Sequence, residues 1–313
     1  MNIKKTGVLI ISFVLAVSVK AQQEPMYSQY MFNMLAINPA YAGSHEVVGA
    51  TALFRKQWLG VPGAPQTTTL GVDLPDNKNG LGFGLQLIND QIGIQNTNTI
   101  MASFAYRSHV FNEEDELAVG LQAGMANYRA DYNKVDLIQT YDPAFSGIVV
   151  NSWLPNIGAG LFYHTEKFYL GLSSPALLTN HINTDQNSLT RSSASGMITS
   201  HYFIASGYVF TLSDALKFKP SLLIKGVPGA PVEYDFNANL YINDILSIGA
   251  SYRTGASFVG MLDIQLTPQF KLGYAYDRDV TDLALYTVGS HEVMLRYELN
   301  SDKKIAHPRY KYF

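Results

Sequence analysis

The chain has 313 residues, only 15% of them charged, with 22 Lys and Arg against 25 Asp and Glu and a net charge of −3; an average soluble protein is roughly 25% charged. Tyr 20, Phe 16 and Gly 25 at a mean hydropathy of +0.01 make it rich in rings and glycines without making it apolar. Three classes are excluded. A multi-span helical membrane protein needs repeated apolar runs of about 18 residues or more, and the longest here, Gly7 to Val19, has 13. Nucleic-acid binding by a basic surface does not fit a pI of about 6.1, and with no cysteine there is no disulfide, thiolate nucleophile or Cys metal site.

The first element is an export signal. Lys4 and Lys5 precede the apolar run, and Val19-Lys20-Ala21 puts small residues before a cut ahead of Gln22. Losing Lys4, Lys5 and Lys20 with this leader (1–21) takes the net charge from −3 to −6. Next comes a segment, 22–46, whose stretch from Glu24 to Gly43 is aromatic, Met-rich and carries one charge. Such a stretch does not stay solvated, so it is expected to plug a lumen or to bind a partner. A weak helical period is confined to Gln29 to Leu35.

From there the period is two. The alternation predicts fourteen strands: 47–55, 66–74, 81–89, 97–110, 117–129, 156–164, 168–177, 201–211, 216–225, 232–243, 245–254, 257–267, 270–278 and 291–299. In the tenth, Val232, Tyr234, Phe236, Ala238, Leu240 and Ile242 lie on one face and Glu233, Asp235, Asn237, Asn239, Tyr241 and Asn243 on the other. Alternation alone also permits a soluble sandwich or lipocalin-like barrel, and connector lengths decide between them. The odd-numbered connections have 10, 7, 26, 23, 6, 2 and 12 residues, the even-numbered ones 6, 6, 3, 4, 1 and 2. Short turns on one side and long loops on the other, with an even strand number, are the pattern of an outer-membrane barrel with both termini periplasmic. The fold expected is therefore all-β: a transmembrane β-barrel of about 14 antiparallel strands over 47–299, with a tail from 300 to 313. Lipid contacts its apolar face, Tyr106, Phe168, Tyr208, Phe210, Tyr252, Tyr274, Tyr276 and Tyr297 form interfacial girdles, and Lys217, Lys219, Lys225, Glu233, Asp235, Asp263, Lys271, Asp277, Arg296 and Glu298 line the lumen.

Little in the sequence points to chemistry. The seven histidines are scattered without ligand spacing, so no metal and no cofactor is expected. The glycine pairs Gly82/Gly84 and Gly158/Gly160 fall inside strands, as small lumen-facing residues would. Asn183, Asp185 and Asn187 open like a calcium loop, but Ser188 stands in place of its glycine and Ala194 in place of its bidentate Glu. His181, Asp185 and Ser188 share one long connection, which leaves an outer-membrane enzyme as a distant alternative; none is predicted. More specific is the hexapeptide Gly-Val-Pro-Gly-Ala-Pro, present at 60–65 and 226–231, each time in an odd-numbered connection. Pro62-Gly63 and Pro228-Gly229 fit type II turns, either as rigid caps or as a docking surface on one rim.

The segment around Tyr27 resembles the opening of the PorP/SprF family of the type IX secretion system in Bacteroidota, which reads Pro-x-Tyr-Ser-Gln-Tyr-Met-x-Asn-x-x-x-x-Asn-Pro-Ala-Tyr-Ala-Gly. It matches at Pro25, Tyr27, Ser28, Gln29, Tyr30, Met31, Asn33, Asn38, Pro39, Ala40, Tyr41, Ala42 and Gly43. Similarity continues through Arg55-Lys-Gln-Trp58-Leu-Gly60, both Gly-Ala-Pro sites and the tail Pro308 to Phe313. The resemblance implies an outer-membrane barrel associated with type IX secretion and gliding, with no catalytic residue. It further implies binding of other secretion components or anchoring of a secreted adhesin. Tyr27, Tyr30, Met31, Asn33, Asn38, Pro39, Tyr41, Trp58, Pro62, Gly63, Pro228 and Gly229 are the residues expected to contact such a partner. The alternative function is a diffusion porin, whose lumen would be open.

Overall fold

A computed structural model describes residues 26–45, 47–76, 78–111, 115–134, 149–182 and 196–299. The leader, Pro25, the calcium-like stretch and the tail lie outside the described residues. The chain forms one closed barrel of fourteen antiparallel strands. They are β1 (Val48–Lys56), β2 (Gln66–Asp76), β3 (Leu81–Ile92), β4 (Gln95–His109), β5 (Glu116–Asp131), β6 (Val149–His164) and β7 (Phe168–Ala176). There follow β8 (His201–Tyr208, resumed as Phe210–Thr211), β9 (Leu216–Gly226), β10 (Glu233–Ile242), β11 (Leu246–Arg253), β12 (Ser257–Gln265), β13 (Phe270–Asp279) and β14 (Ser290–Leu299). Closure is made by β1 against β14, from Val48 opposite Leu299 to Lys56 opposite His291. Among the described residues no helix is long and apolar enough to cross a membrane, so any crossing is made by strands, whose backbone groups closure satisfies without an edge.

The alternation decides inside from outside. On β10, Tyr234 and Phe236 are exposed while Asp235, Asn237 and Asn239 are buried; on β14, Val293 and Leu295 are exposed while Glu292, Met294 and Arg296 are buried. This inverted surface, with Leu121 60% exposed and Asp235 only 1%, suits a lipid solvent and a polar lumen.

Three departures from the sequence reading have local causes. β6 begins at Val149 rather than 156 and runs through Pro155, which faces Met125 of β5. Its pairing with β7 covers only Ala159 to His164, so Pro155 sits where one side of the strand lacks a ladder partner, the place a missing N–H is tolerated. β8 breaks at Val209 because Gly207 pairs with Ser221 and Phe210 with Phe218, leaving the gap beside Pro220. The third connection shrinks to a turn at Gly93, since β3 and β4 pair as far as Ile92 and Gln95. A short hairpin, Asn180–Ile182 with Gly196–Ile198, decorates the seventh connection. The longer connections still fall at one end of the barrel, here called the loop end; β1 starts and β14 finishes at the other, the turn end.

A cationic side chain on the outer face should be far more damaging than one on a turn. Leu121→Arg is expected to lower stability by about 2–4 kcal/mol, read as a shifted urea midpoint and loss of heat-modifiable gel mobility, with Ser213→Arg close to the parent.

Candidate functional site: the filled lumen

Fourteen strands enclose more space than their own inward side chains fill, and residues 26–45 occupy it. The segment is a chain of three 3₁₀ turns, Tyr30–Phe32, Met34–Ala36 and Pro39–Tyr41. The Asn-Pro pair shapes the last. Asn38 Oδ1 accepts from Ala40 N–H (2.9 Å) and its Nδ2 donates to Leu161 O (2.9 Å), while Pro39 takes the first helical position, where no N–H is needed. Tyr27, Tyr30, Met31, Asn33, Asn38 and Tyr41 are each 4% exposed or less, and Pro39 is buried with them. Tyr27, Tyr30, Met31 and Tyr41 join the core with lumen-facing Leu53, Phe162, Phe203, Met261 and Met294. Burying each Met, Leu or Phe of this size contributes roughly 1.5–3 kcal/mol.

One wall of the lumen is moulded to the segment by missing side chains. A Cβ at Gly82 would stand 1.9 Å from Ala42 O, one at Gly120 2.2 Å from Ala40 N, and one at Gly160 2.1 Å from Asn38 Oδ1. The Gly-x-Gly pairs are thus lumen-facing, as expected, and Gly82 and Gly160 set the depth at which the plug seats. Gly43 closes the segment with φ +74°, and a Cβ there would meet Gly82 Cα at 2.7 Å.

Polar contacts fix the two ends. Near the loop end, Arg55 donates to Ser28 Oγ (2.7 Å), Glu292 (3.1 Å) and Asp277 (2.7 Å). Ser28 Oγ donates to Asp277 (2.7 Å), and the backbone N–H groups of Ser28 and Gln29 donate to Glu292 (2.9 and 2.8 Å). At the turn end, Gly43 N–H donates to Asp73, Arg107 donates to Ala42 O (3.1 Å), and His45 lies 3.6 Å from Glu298. Between them, Tyr27 OH bonds Thr69 Oγ1 (2.7 Å), Asn237 Nδ2 donates to Tyr30 OH (2.9 Å), and Arg296 donates to Phe32 O (3.2 Å). The Phe32 ring faces the Lys219 and Lys271 ammonium groups at 5.7 and 5.1 Å. The two cavities flanking Phe32 hold about 20 Å³ each, room for a single water apiece.

The other sequence-selected residues lie at the loop end. Ala64 N–H bonds Val61 O (3.2 Å) and Ala230 N–H bonds Val227 O (3.0 Å), with Gly63 at φ +70° and Gly229 at φ +84°, so both hexapeptides form the type II turn. They differ in setting. The first is tied to the thirteenth connection by Leu59 N–H to Gly289 O (2.8 Å) and Val288 N–H to Leu59 O (3.0 Å), and to the third by Gly93 N–H to Gly63 O (2.8 Å). Trp58 adopts φ +47°, held by its N–H to Ser290 Oγ (3.1 Å). The second turn stands clear, with nothing near Gly229. The twelve residues therefore form two groups, seven inside the lumen and five on one rim. Sequence reading did not select Arg55, Glu292, Asp73 or Arg107 as site residues; the signal for Glu292, Asp73 and Arg107 was a charge on the polar face of a strand, and Arg55 also stands in the Arg55 to Gly60 run that carries the family resemblance. Among the described residues no group of three or more His, Asp and Glu could hold a metal.

A family model described as "Type IX secretion system membrane protein PorP/SprF" matches residues 19–297. No curated protein matches the chain. Among solved structures it is similar to the outer membrane protein Omp33 of Acinetobacter baumannii (10% identity over 81% of this chain and 99% of that one, TM-score 0.45). It is also similar to the monoaromatic hydrocarbon channel CymD (12%, 88% and 93%, 0.48) and to the toluene transporter TbuX of Ralstonia pickettii (10%, 86% and 92%, 0.44).

Two variants test the seating of the plug. Gly82→Ala and Gly120→Ala are each expected to cost about 1–3 kcal/mol by overpacking, seen as a lower urea midpoint and faster proteolysis within 26–45, whereas Gly260→Ala, with open space around it, should match the parent. Arg55→Met leaves Asp277 and Glu292 buried without their cation and should lose about 3–5 kcal/mol; Ser28→Ala, which removes one hydroxyl, should lose about 1 kcal/mol by the same measurement.

Proposed function

Because the chain belongs to the PorP/SprF family of type IX secretion system membrane proteins, we propose that it serves secretion as a sealed outer-membrane scaffold that works through its rims. On this reading it binds other type IX components or anchors a secreted surface adhesin, and does not conduct solutes. The filled lumen carries the proposal. A segment matched to its wall at Gly82, Gly120 and Gly160 and bonded at both ends supports a permanent plug, and a plugged barrel offers a partner only its ends and its lipid-facing wall. Tyr27, Tyr30, Met31, Asn33, Asn38, Pro39 and Tyr41 then hold the plug. Contact falls to Pro62, Gly63, Pro228 and Gly229, with Trp58 bracing the first turn in a conformation that costs a non-glycine residue of order 1–3 kcal/mol. Proline and glycine turns that project without side-chain entropy to lose suit a docking edge. The outer wall contacts outer-membrane lipid, and no catalytic group is assigned.

The test joins a conductance measurement to a pull-down. The purified protein in planar bilayers should show no steady open channel, and deletion of 25–41 should open one. From cells, the intact protein should recover type IX components or the adhesin, and a variant carrying Pro62→Ser, Gly63→Val, Pro228→Ser and Gly229→Val should recover several-fold less while remaining inserted. Steady conductance by the intact protein, with recovery unaffected by the turn variant, would favour a porin.

A further inference from the structure

The outward face of the barrel ends differently on its two sides. On β10 to β13 the outward positions toward the loop end carry rings: Tyr234, Tyr252, Phe258 and, beneath Arg278, Tyr276. On β2 to β6 the outward residues pair in rungs across the sheet. One rung is apolar throughout: Leu70, Leu87, Ile100, Met125 and Pro155. Two residues nearer the loop end, the rung is Thr68, Asn89, Asn98, Asn127 and Trp153. Two further on it is Gln66, Gln91, Asn96, Arg129 and Asn151, which Lys56 of β1 extends by pairing with Gln66. Residues two apart on a strand share a face, so the chemistry changes from hydrocarbon to amide within one step of about 7 Å. Lipid tails tolerate the first rung and not the other two. The apolar rung therefore marks the lipid boundary, and β2 to β6 carry a polar apron above it.

Within the apron the amides are tied to one another. Asn89 Nδ2 donates to Asn98 Oδ1 (2.8 Å) and Asn96 Oδ1 (3.2 Å), Asn98 Nδ2 donates to Asn96 Oδ1 (2.9 Å), and Asn127 Nδ2 donates to Asn151 Oδ1 (2.7 Å). Among the described residues this leaves Asn96 Nδ2 and Asn151 Nδ2 as unused donors, with Asn89 Oδ1 and Asn127 Oδ1 as unused acceptors. Lys56 and Arg129 are exposed and have no ion pair among the described residues. The acid nearest Arg129 along its strand, Asp131, accepts from Asn133 and faces Lys134 at 4.0 Å. Trp153, 64% exposed, stands in the rung directly above the apolar one.

We infer that this apron binds the phosphate-bearing sugar headgroup of an outer-leaflet glycolipid, whose acyl chains lie along the apolar rung below. Position selects the occupant: the apron begins where the tails end, so a molecule in lateral contact with it is the head of a lipid. Chemistry selects the head. Amides offering both donors and acceptors match adjacent hydroxyls, the Trp153 ring presents a flat face to the C–H side of a sugar, and two cations without an acid of their own suit phosphate. A phosphoglycerol head satisfies the cations but leaves most of the amides unmatched. The inference rests on the barrel lying in the outer membrane with its loop end outward, and not on which secretion partner it serves.

The purified protein is reconstituted in phosphatidylcholine vesicles alone, with lipopolysaccharide, with phosphatidylglycerol, or with the soluble sugar phosphate released from lipopolysaccharide by deacylation. The temperature at which the barrel loses its heat-modifiable gel mobility is then read. Lipopolysaccharide is expected to raise it by several degrees, and the other two additions to leave it unchanged. Lipopolysaccharide recovered with the protein from outer membranes should fall several-fold in the double variants Lys56→Gln with Arg129→Gln and Asn96→Leu with Asn127→Leu. It should stay at the parent level in Arg278→Gln, whose cation lies among rings. An equal rise with phosphatidylglycerol would reduce the apron to a general anionic contact and overturn the inference. An equal rise with the soluble sugar phosphate would overturn the lipid as its source, and recovery by both double variants at the parent level would overturn the site.

Discussion

A closed sheet in lipid must turn its apolar residues outward, and everything else in this protein follows from that inversion. Once Leu121, Phe236 and Leu295 face out, the alternating partners face a lumen that fourteen strands make too wide for side chains to fill. A polar lumen of this size holds either water or more chain. Here it holds residues 26–45, and the composition of that segment answers the composition of the wall: Met and aromatic side chains meet Met261, Met294 and Phe162, and its backbone lies against glycines.

The buried charges have the same origin. Arg55, Asp277, Glu292, Arg253 and Asp235 are each 5% exposed or less, and desolvating such groups roughly cancels what their attraction returns. Their contribution is thus better read as specificity than as stability. Arg253 donates to Asp235 at 2.8 Å, and Arg55 bridges two acids and a plug hydroxyl, a set of directions that only one seating of Ser28 satisfies. Apolar packing would hold the segment in several registers; the ion cluster at one end and the Gly43–Asp73 contact at the other leave one.

The two ends of the barrel are consequently unlike. At the turn end the connections are short and β1 and the plug are continuous. At the loop end, three connections are bonded into one platform through Leu59, Gly63, Gly93 and Val288, while the second copy of the same hexapeptide projects freely. Identical sequences thus produce the same turn, because proline and glycine fix it locally, in unlike surroundings, because neighbours around the barrel do not repeat. A family associated with type IX secretion, rather than with solute uptake, fits a barrel whose interior is occupied and whose rims differ.

The residues themselves determined the strands and the face each side chain takes, since a period of two is local and the demand for an apolar exterior leaves only one inversion open. They also marked the stretch from Glu24 to Gly43 as one that must be covered, and both hexapeptides as type II turns. Boundaries went astray at Pro155, where the sequence reading starts the strand after the proline, and at the β3–β4 turn, where pairing runs on to Ile92 and Gln95, because how far a ladder extends depends on a strand partner that local sequence does not show. Tertiary structure alone decided that the stretch lies in the barrel's own lumen, that Gly82, Gly120 and Gly160 form its seat, and that Arg55 meets Asp277 and Glu292. Those contacts join positions more than two hundred residues apart in Arg55's case, and they exist only after β1 has met β14, when closure brings the first strand, the last strands and the segment before them to one side of the same lumen.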